Sequence, residues 1–215
     1  MRKPMMKAVT LTLAAMTVCA GAAFAAPAVI APQPAIIDAS EIMDGKVQVS
    51  FDPADIEKQE DGIYLMKNVT IFTEDAYDLV DVARMEKGDT LTYAGNDIVV
   101  DTIERSGDYL NINGGFEEGG ATLACREDSN GWVAVAYDDL TVYSAQCTVD
   151  LPLSAKVEYR DARDLTNDPI EINQADEAVI EMQKAVENYW SFEAAGTSMI
   201  IENGEVTAID CVYTP

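Results

Sequence analysis

Histidine is absent from this chain of 215 residues. That removes the commonest general base and metal ligand, and no Ser-His-Asp or Cys-His arrangement can be built. Positive charge is scarce: 14 Lys and Arg stand against 38 Asp and Glu, a formal net charge of −24. A field of that sign repels nucleic acid and anionic membrane surfaces, so neither is expected as a partner. No Cys-x-x-Cys spacing occurs, which leaves zinc and thioredoxin-like chemistry without support. The Asp-x-Asp-x-Asp-Gly loop of an EF-hand is missing too. Beyond the first residues, no apolar run approaches membrane-spanning length.

The start of the chain reads as an export signal. Arg2, Lys3 and Lys7 precede an apolar run from Ala8 to Phe24, and Ala23-Phe24-Ala25 supplies the small residues a signal peptidase reads. We place the cut after Ala25 and expect a protein secreted to the extracellular side, with cell-surface or periplasmic residence as alternatives. A lipid on Cys19 is disfavoured, because Val18 stands where such a site wants a small residue. Cleavage removes three positive charges and no negative ones, taking the net charge from −24 to −27. Residues 26–40 follow as a Pro-rich extended linker. The remaining length, 41–215, suits one domain.

What is present within that domain is a series of short apolar runs cut by Gly, Asn and Asp. Lys46–Phe51 and Ile63–Phe72 read as strands, the latter with Tyr64, Met66, Thr70 and Phe72 on one face. A helical turn is expected near Pro53–Lys58. Thr73 reads as the cap of a short helix with Ala76, Leu79, Val80 and Ala83 as its buried stripe and Gly88 closing it. A meander then runs through Thr90–Tyr93, Ile98–Ile103, Tyr109–Ile112, Ala121–Cys125, Trp132–Tyr137 and Thr141–Val149. Trp132–Tyr137 is apolar on both faces, as a covered central strand would be. The tail changes period: a helix over Gln174–Tyr189 with Asn173 as cap, then two strands around Asn203-Gly204, the strongest short hairpin signal. The expected fold is α+β, mainly β. It has a small barrel-like antiparallel core over about 46–160, a short helix before the meander, and an α-β-β tail over about 166–215.

Three cysteines survive processing. In a meander Cys125 and Cys147 would be two strand spacings apart, beyond disulfide reach, leaving Cys211 as the only partner for either. Buried, unreactive thiols are the favoured state.

Candidate chemistry is sparse. The glycine-rich segment Asn113–Gly120 lacks a Gly-Lys-Ser/Thr ending and a following helix, and Glu117 and Glu118 would repel an anion, so tight turns explain it better than a phosphate loop. Glu117 and Glu118 in one loop, with Asp138 and Asp139 in another, are the candidate metal ligands, for calcium if any; solvated turn carboxylates are the favoured reading. Tyr109, Phe116, Trp132, Tyr137 and Tyr143 are groove candidates, although most fall at alternating strand positions typical of core. No motif fixes a nucleophile or base.

Three segments together carry a resemblance: Tyr77–Val82 running into Lys87–Leu91, then Ile112–Gly120, then the ending Glu202–Pro215. Over about residues 60–215 the chain resembles a group of exported, uncharacterised proteins of anaerobic gut bacteria. The resemblance implies an exported bacterial protein and carries over no functional residue. The sequence therefore points to a secreted, non-catalytic binding or interaction module for an extracellular protein, peptide or glycan. A calcium-dependent module and a carboxylate-based hydrolase stand as alternatives.

Overall fold

The computed structural model of the protein describes residues 27–32, 42, 44–126 and 131–214. The export segment, Cys19, most of the Pro-rich stretch and the turn at 128–130 lie outside the described residues. In chain order the strands are β1 (Val29–Ile30), β2 (Gly45–Ser50), β3 (Ile56–Lys58), β4 (Tyr64–Glu74), β5 (Ala76–Tyr77), β6 (Thr90–Tyr93), β7 (Asn96–Val99), β8 (Ile103–Ser106), β9 (Tyr109–Ile112), β10 (Ala121–Arg126), β11 (Gly131–Val135), β12 (Tyr143–Ala162), β13 (Ile170–Ile172), β14 (Thr197–Glu202) and β15 (Glu205–Val212). Helix α1 (Leu79–Arg84) follows β5, and α2 (Ala175–Glu187) follows β13. Among the described residues the fold is mainly β, with two α-helices and largely antiparallel sheets.

One set of strands forms a circuit. β2 bonds β4, β4 bonds β12, β12 bonds β15, β15 bonds β14, and β14 returns to β2; only β12 and β15 run parallel. The length of β12 makes this possible. Its first half pairs with β4, from Tyr143↔Glu74 to Leu153↔Tyr64, and its second half with β15, from Leu153↔Val206 to Ala162↔Val212. Two bulges bend the β4–β12 ladder. Lys67 and Asn68 face the single residue Asp150, and Gln146 is an extra residue on β12. Asn68 adopts a left-handed φ of 57° and donates its backbone N–H to Asp150 at 3.1 Å. The extra residue moves the buried set from Met66 to Val69 and Ile71, so the single face expected for Tyr64, Met66, Thr70 and Phe72 does not exist. α2 completes this core, burying Ala178, Val179, Met182 and Ala185 as its spacing predicts. Its cap is Gln174 rather than Asn173, and Tyr189, expected on the apolar stripe, is exposed. The hairpin turns at Asn203 (φ 53°) and Gly204 (φ 78°), the left-handed pair that a two-residue turn requires. It buries Ile209 and Cys211 and leaves Tyr213 exposed.

The chain leaves this circuit at Glu74 and re-enters at its ladder partner Tyr143. What lies between, joined by β1 from earlier in the chain, has its own core of Tyr77, Val82, Leu91, Tyr93, Leu110, Ile112, Leu123 and Trp132, under a five-stranded sheet β5-β11-β10-β9-β8 and a three-stranded sheet β1-β6-β7. Strands β6 and β9 keep the bounds expected from their turn residues, and β11 is buried on both faces. The expected strand Ile98–Ile103 is split, because the Asn113 amide accepts from Asp101 and Thr102 N–H and donates to the Val99 carbonyl.

The first helix is a larger correction. Thr73 and Glu74 finish β4, and Ala76–Tyr77 pairs with β11. α1 starts only at Asp78, whose Oδ1 accepts from Val80 N at 2.7 Å and Asp81 N at 3.3 Å. It buries Val82 and exposes Leu79 and Val80. The turn expected over Pro53–Lys58 is a 3-10 turn over Pro53–Asp55 followed by β3. β12 leaves the meander to pair with β4 and β15, while Thr141 and Val142 just before it still bond to β11 and its surroundings, so Cys125 and Cys147 lie in different sheets. Of the three described cysteines, Cys211 is buried as expected, Cys147 is half-buried and Cys125 is exposed.

Candidate functional site

Two loops on the inserted region converge on one cleft. The first is the glycine-rich connection from β9 to β10. Asn113 (φ 53°), Gly114 (φ 85°) and Gly115 (φ 89°) turn left-handed in succession, a 3-10 turn spans Phe116–Glu118, and Gly119 (φ 83°) returns the chain. Close packing also sets Gly120, where a Cβ would stand 2.0 Å from the Ile112 carbonyl oxygen. The Thr122 hydroxyl accepts from Phe116 N at 3.0 Å and donates to Asn111 Oδ1 at 3.0 Å, tying the loop to the sheet beneath.

The second loop is the curl after β11. Ala136 N bonds the Leu140 carbonyl at 2.8 Å, closing a turn in which Asp138 (φ 51°) and Asp139 (φ 60°) are both left-handed. Neither is glycine, so this backbone is held against its own preference. The holding groups are visible: Tyr109 donates its hydroxyl to Asp139 Oδ2 at 2.9 Å, and Arg126 Nη2 donates to the Asp139 carbonyl at 3.3 Å. The bond to Asp139 also raises the Tyr109 phenol above its ordinary range. Tyr137, 63% exposed, meets the Phe116 ring edge-on at 4.8 Å, and Phe116 in turn lies 6.3 Å from Tyr93 in the second core.

The cleft between them has a volume of about 300 Å³, with Asn111, Phe116, Glu117, Thr122, Tyr137, Asp138 and Asp139 among its walls. Of the four sequence candidates the structure therefore brings Glu117, Asp138 and Asp139 together. Glu118 is not among the lining residues; its carboxylate packs against Gly114. Among the described residues, no group of three or more His, Cys, Asp or Glu side chains is disposed to hold a metal ion. Of the aromatic candidates, Phe116 and Tyr137 line the cleft, and Tyr109 is tied to it through its bond to Asp139. Trp132 is core with Arg105 over its ring at 5.4 Å, and Tyr143 is half-buried at the start of β12.

Two larger depressions are lined otherwise. One of about 540 Å³ is walled by Glu158, Glu171, Glu177 and Arg160, the last paired with Asp210 at 2.9 Å. One of about 570 Å³ lies at the Asn68 bulge and includes Ile42, Asp150 and Gly204. Neither gathers aromatic side chains for a ligand face.

Sequence reasoning missed two largely buried carboxylates with shifted titration, Asp75 and Asp161. Asp75, at the neck where the chain leaves β4, has Oδ2 bonded by Ala94 N at 2.9 Å and no partner for Oδ1 within bonding geometry; the buried Ser144 hydroxyl is equally without one. Burial raises the Asp75 carboxyl above 3.8, against the smaller opposing pull of Ser144 and Ala94. Nearby, burial first and the Asp75 charge second push the Tyr77 phenol up, and burial takes Tyr93 up to about 12. Asp161 behaves oppositely. Burial works to raise it, but the bidentate bonds from Arg163 (Nε 2.9 Å, Nη2 2.5 Å) outweigh that and leave it lowered. Arg163 also donates to the Ser191 carbonyl at 2.7 Å and sits over the rings of Phe192 and Trp190. These two carboxylates occupy different cores and line none of the depressions above, so they do not form an acid/base pair on a substrate. No sequence signal distinguishes them from the other acidic residues.

Comparison with known proteins supplies no relative: no protein family, no curated protein and no solved structure matches this chain.

Proposed function

We propose that this protein is an exported, non-catalytic binding module and that its ligand seat is the cleft between the glycine-rich loop and the β11–β12 curl. One observation carries the reading: an exposed Tyr137, propped edge-on against Phe116, rides on a turn with two successive left-handed Asp residues. Each such residue costs about 1–3 kcal/mol, and strain of this kind clusters at functional sites. The chemistry fits a polyhydroxylated ligand. An aromatic face packs on the apolar face of a sugar ring, while Glu117, Asp138 and Asp139 accept from hydroxyls and Asn111 offers an amide. The strong acidity argues against anionic ligands.

The test is affinity electrophoresis against a panel of soluble neutral polysaccharides, followed by titration with any that retard the protein. Tyr137→Ala is expected to weaken binding at least tenfold without changing thermal stability, since the side chain is exposed. Unchanged affinity in that variant would remove the cleft from consideration. A calcium-dependent module is the second reading, kept because three carboxylates share the cleft. Thermal unfolding in EDTA and then in millimolar calcium separates the two: a site at a hundred times its dissociation constant adds about 2.7 kcal/mol.

We further infer that the circuit β2-β4-β12-β15-β14 curves into a small five-stranded barrel of the OB type. In support, a single parallel pair joins the third and fifth strands in chain order, and a helix lies between the third and fourth. Such an architecture assigns no activity by itself. Export rests on the first 25 residues and on the resemblance to exported gut-bacterial proteins.

A further inference from the structure

The stretch expected as a free linker is docked where the structure describes it. β1 runs parallel to β6, with Val29 opposite Thr90 and Ile30 opposite Leu91, and Thr90 N donates to the Ala28 carbonyl at 2.9 Å. Ile30 is 4% exposed and belongs to the second core beside Leu91 and Tyr93. Ala28 N donates to Asp89 Oδ1 at 2.8 Å, while Oδ2 of the same carboxylate accepts from Glu86 N at 2.8 Å. Asp89 is 5% exposed. The seat thus has three parts: a strand edge, an apolar hole and a buried carboxylate aimed at a peptide N–H. Without the arm the hole is empty, the edge is open and Asp89 Oδ1 loses its donor, each a cost in the folded state.

This arm belongs to a different core from the chain that follows it. Ile30 packs in the second core, whereas Ile42 and Val49 of β2 pack in the first. Ile42 lies twelve positions after Ile30 in the sequence, a chain length that can span at most about 40 Å. The arm's contacts are the same whether it comes from its own chain or another.

We propose that the β6 edge is a strand receiver and that its partner is a second copy of this chain, whose Ala28–Ile30 occupies it in trans. Reciprocal exchange is a low-cost route to a dimer because no new interface has to be invented. The balance between the closed monomer and the exchanged pair turns on effective concentration, on the order of millimolar for a short tether. Exchange therefore prevails where the protein is crowded and lapses on dilution. The proposal does not depend on the ligand cleft.

The register supplies the test. Val29 and Thr90 are in-register partners, Val29 exposed and Thr90 half-buried, so Val29→Cys with Thr90→Cys can cross-link the arm where it sits. With Cys125→Ser removing the exposed native thiol, the full chain is oxidised at rising protein concentration and run without reductant. A cross-linked monomer on dilution is expected, with a covalent dimer that grows with concentration and disappears when Ile30→Asp is added. Cross-linked monomer at every concentration, no cross-link at all, or a dimer indifferent to Ile30→Asp would each overturn the proposal. Should the cysteine variants misfold, sedimentation of the unmodified chain decides: a concentration-dependent doubling of mass that Ile30→Asp abolishes supports exchange, and a single mass throughout refutes it.

Discussion

The strand circuit and the region inserted in it reach a packed core by different means. The circuit uses a few long strands, β12 running through 20 residues, and bends them with bulges at Asn68 and Gln146. The insertion uses strands of two to six residues and bends between them, at Ala94, Gly95, Asn113, Gly114 and Gly115, all left-handed. A bulged long strand spreads curvature along a ladder. A meander of short strands concentrates curvature in its loops, and the candidate cleft is built from two of these. Each region also carries one of the two tryptophans, Trp132 in the second core and Trp190 against the first, which gives each its own optical reporter.

Those reporters frame the largest expected effects. Arg163 and Asp161 form a buried ion pair in the circuit, with side chains 4% and 9% exposed. Arg163→Leu strands the Asp161 carboxylate among apolar neighbours and is expected to cost about 3–5 kcal/mol, as removing one partner of a buried pair does. Leu123, fully buried in the insertion, is expected to cost about 2–5 kcal/mol on truncation to Ala. Denaturant unfolding of Trp132→Phe and Trp190→Phe backgrounds reads the two regions separately. If they are independent, Arg163→Leu moves the Trp190 transition alone and Leu123→Ala the Trp132 transition alone. Coincident shifts in both would erase the distinction and make the protein one cooperative unit.

The same contrast explains what could be read in advance. Turn-bounded strands such as Thr90–Tyr93 and Tyr109–Ile112, and the Asn203-Gly204 hairpin, follow local chemistry, so their bounds were legible. The circuit is set by partners far apart in sequence. Glu74 pairs with Tyr143, which turned an apparent helix cap at Thr73 into the end of a strand. Bulges switch the buried face without a glycine to mark them, as Asn68 does. β1 and β13 are two and three residues long and owe their existence to a neighbour, not to a pattern of their own. Of the site, the loops carrying Glu117, Asp138 and Asp139 were visible as acidic turns; that they face one another, with Tyr137 between, depends on how the curl folds back over the sheet.

Gly120 tests how much the glycine-rich loop owes to close packing. Its backbone φ is not left-handed, so Gly120→Ala introduces no conformational strain of its own, only a Cβ that would stand 2.0 Å from the Ile112 carbonyl. The backbone has to move, at a cost expected near 1–3 kcal/mol, and the Trp132 transition should report it while that of Trp190 does not.

Asp75 and Asp161 give the regions opposite responses to acid. Asp75 has a raised carboxyl, so the native state holds its proton more tightly than the unfolded chain; its contribution falls as pH rises from 3.8 through the raised value and is flat above it. Asp161 has a lowered carboxyl, so its contribution is complete above 3.8 and is lost as pH falls through the lowered value. Asp75→Asn keeps the bond from Ala94 and offers an amide N–H to the unpartnered Ser144 hydroxyl. It is expected to stabilise the neck by about 1 kcal/mol at neutral pH and to remove the decline above 3.8. Thermal unfolding across pH 4–8 checks both; a decline that survives in the variant would place its origin elsewhere.

Helix ends provide the smallest and most local contrast. α1 is a short helix whose first turn is held by the Asp78 carboxylate, with bonds to both Val80 N and Asp81 N. α2 is 13 residues long, and its cap Gln174 makes no side-chain bond. Asp78→Ala should therefore cost about 1 kcal/mol, read by Trp132. Gln174→Ala should fall within about 0.5 kcal/mol of zero, because the stability of α2 comes from Ala178, Val179 and Met182 packing into the core rather than from its end. Equal costs at the two caps would mean that the short helix, too, is held by its buried Val82 more than by its first turn.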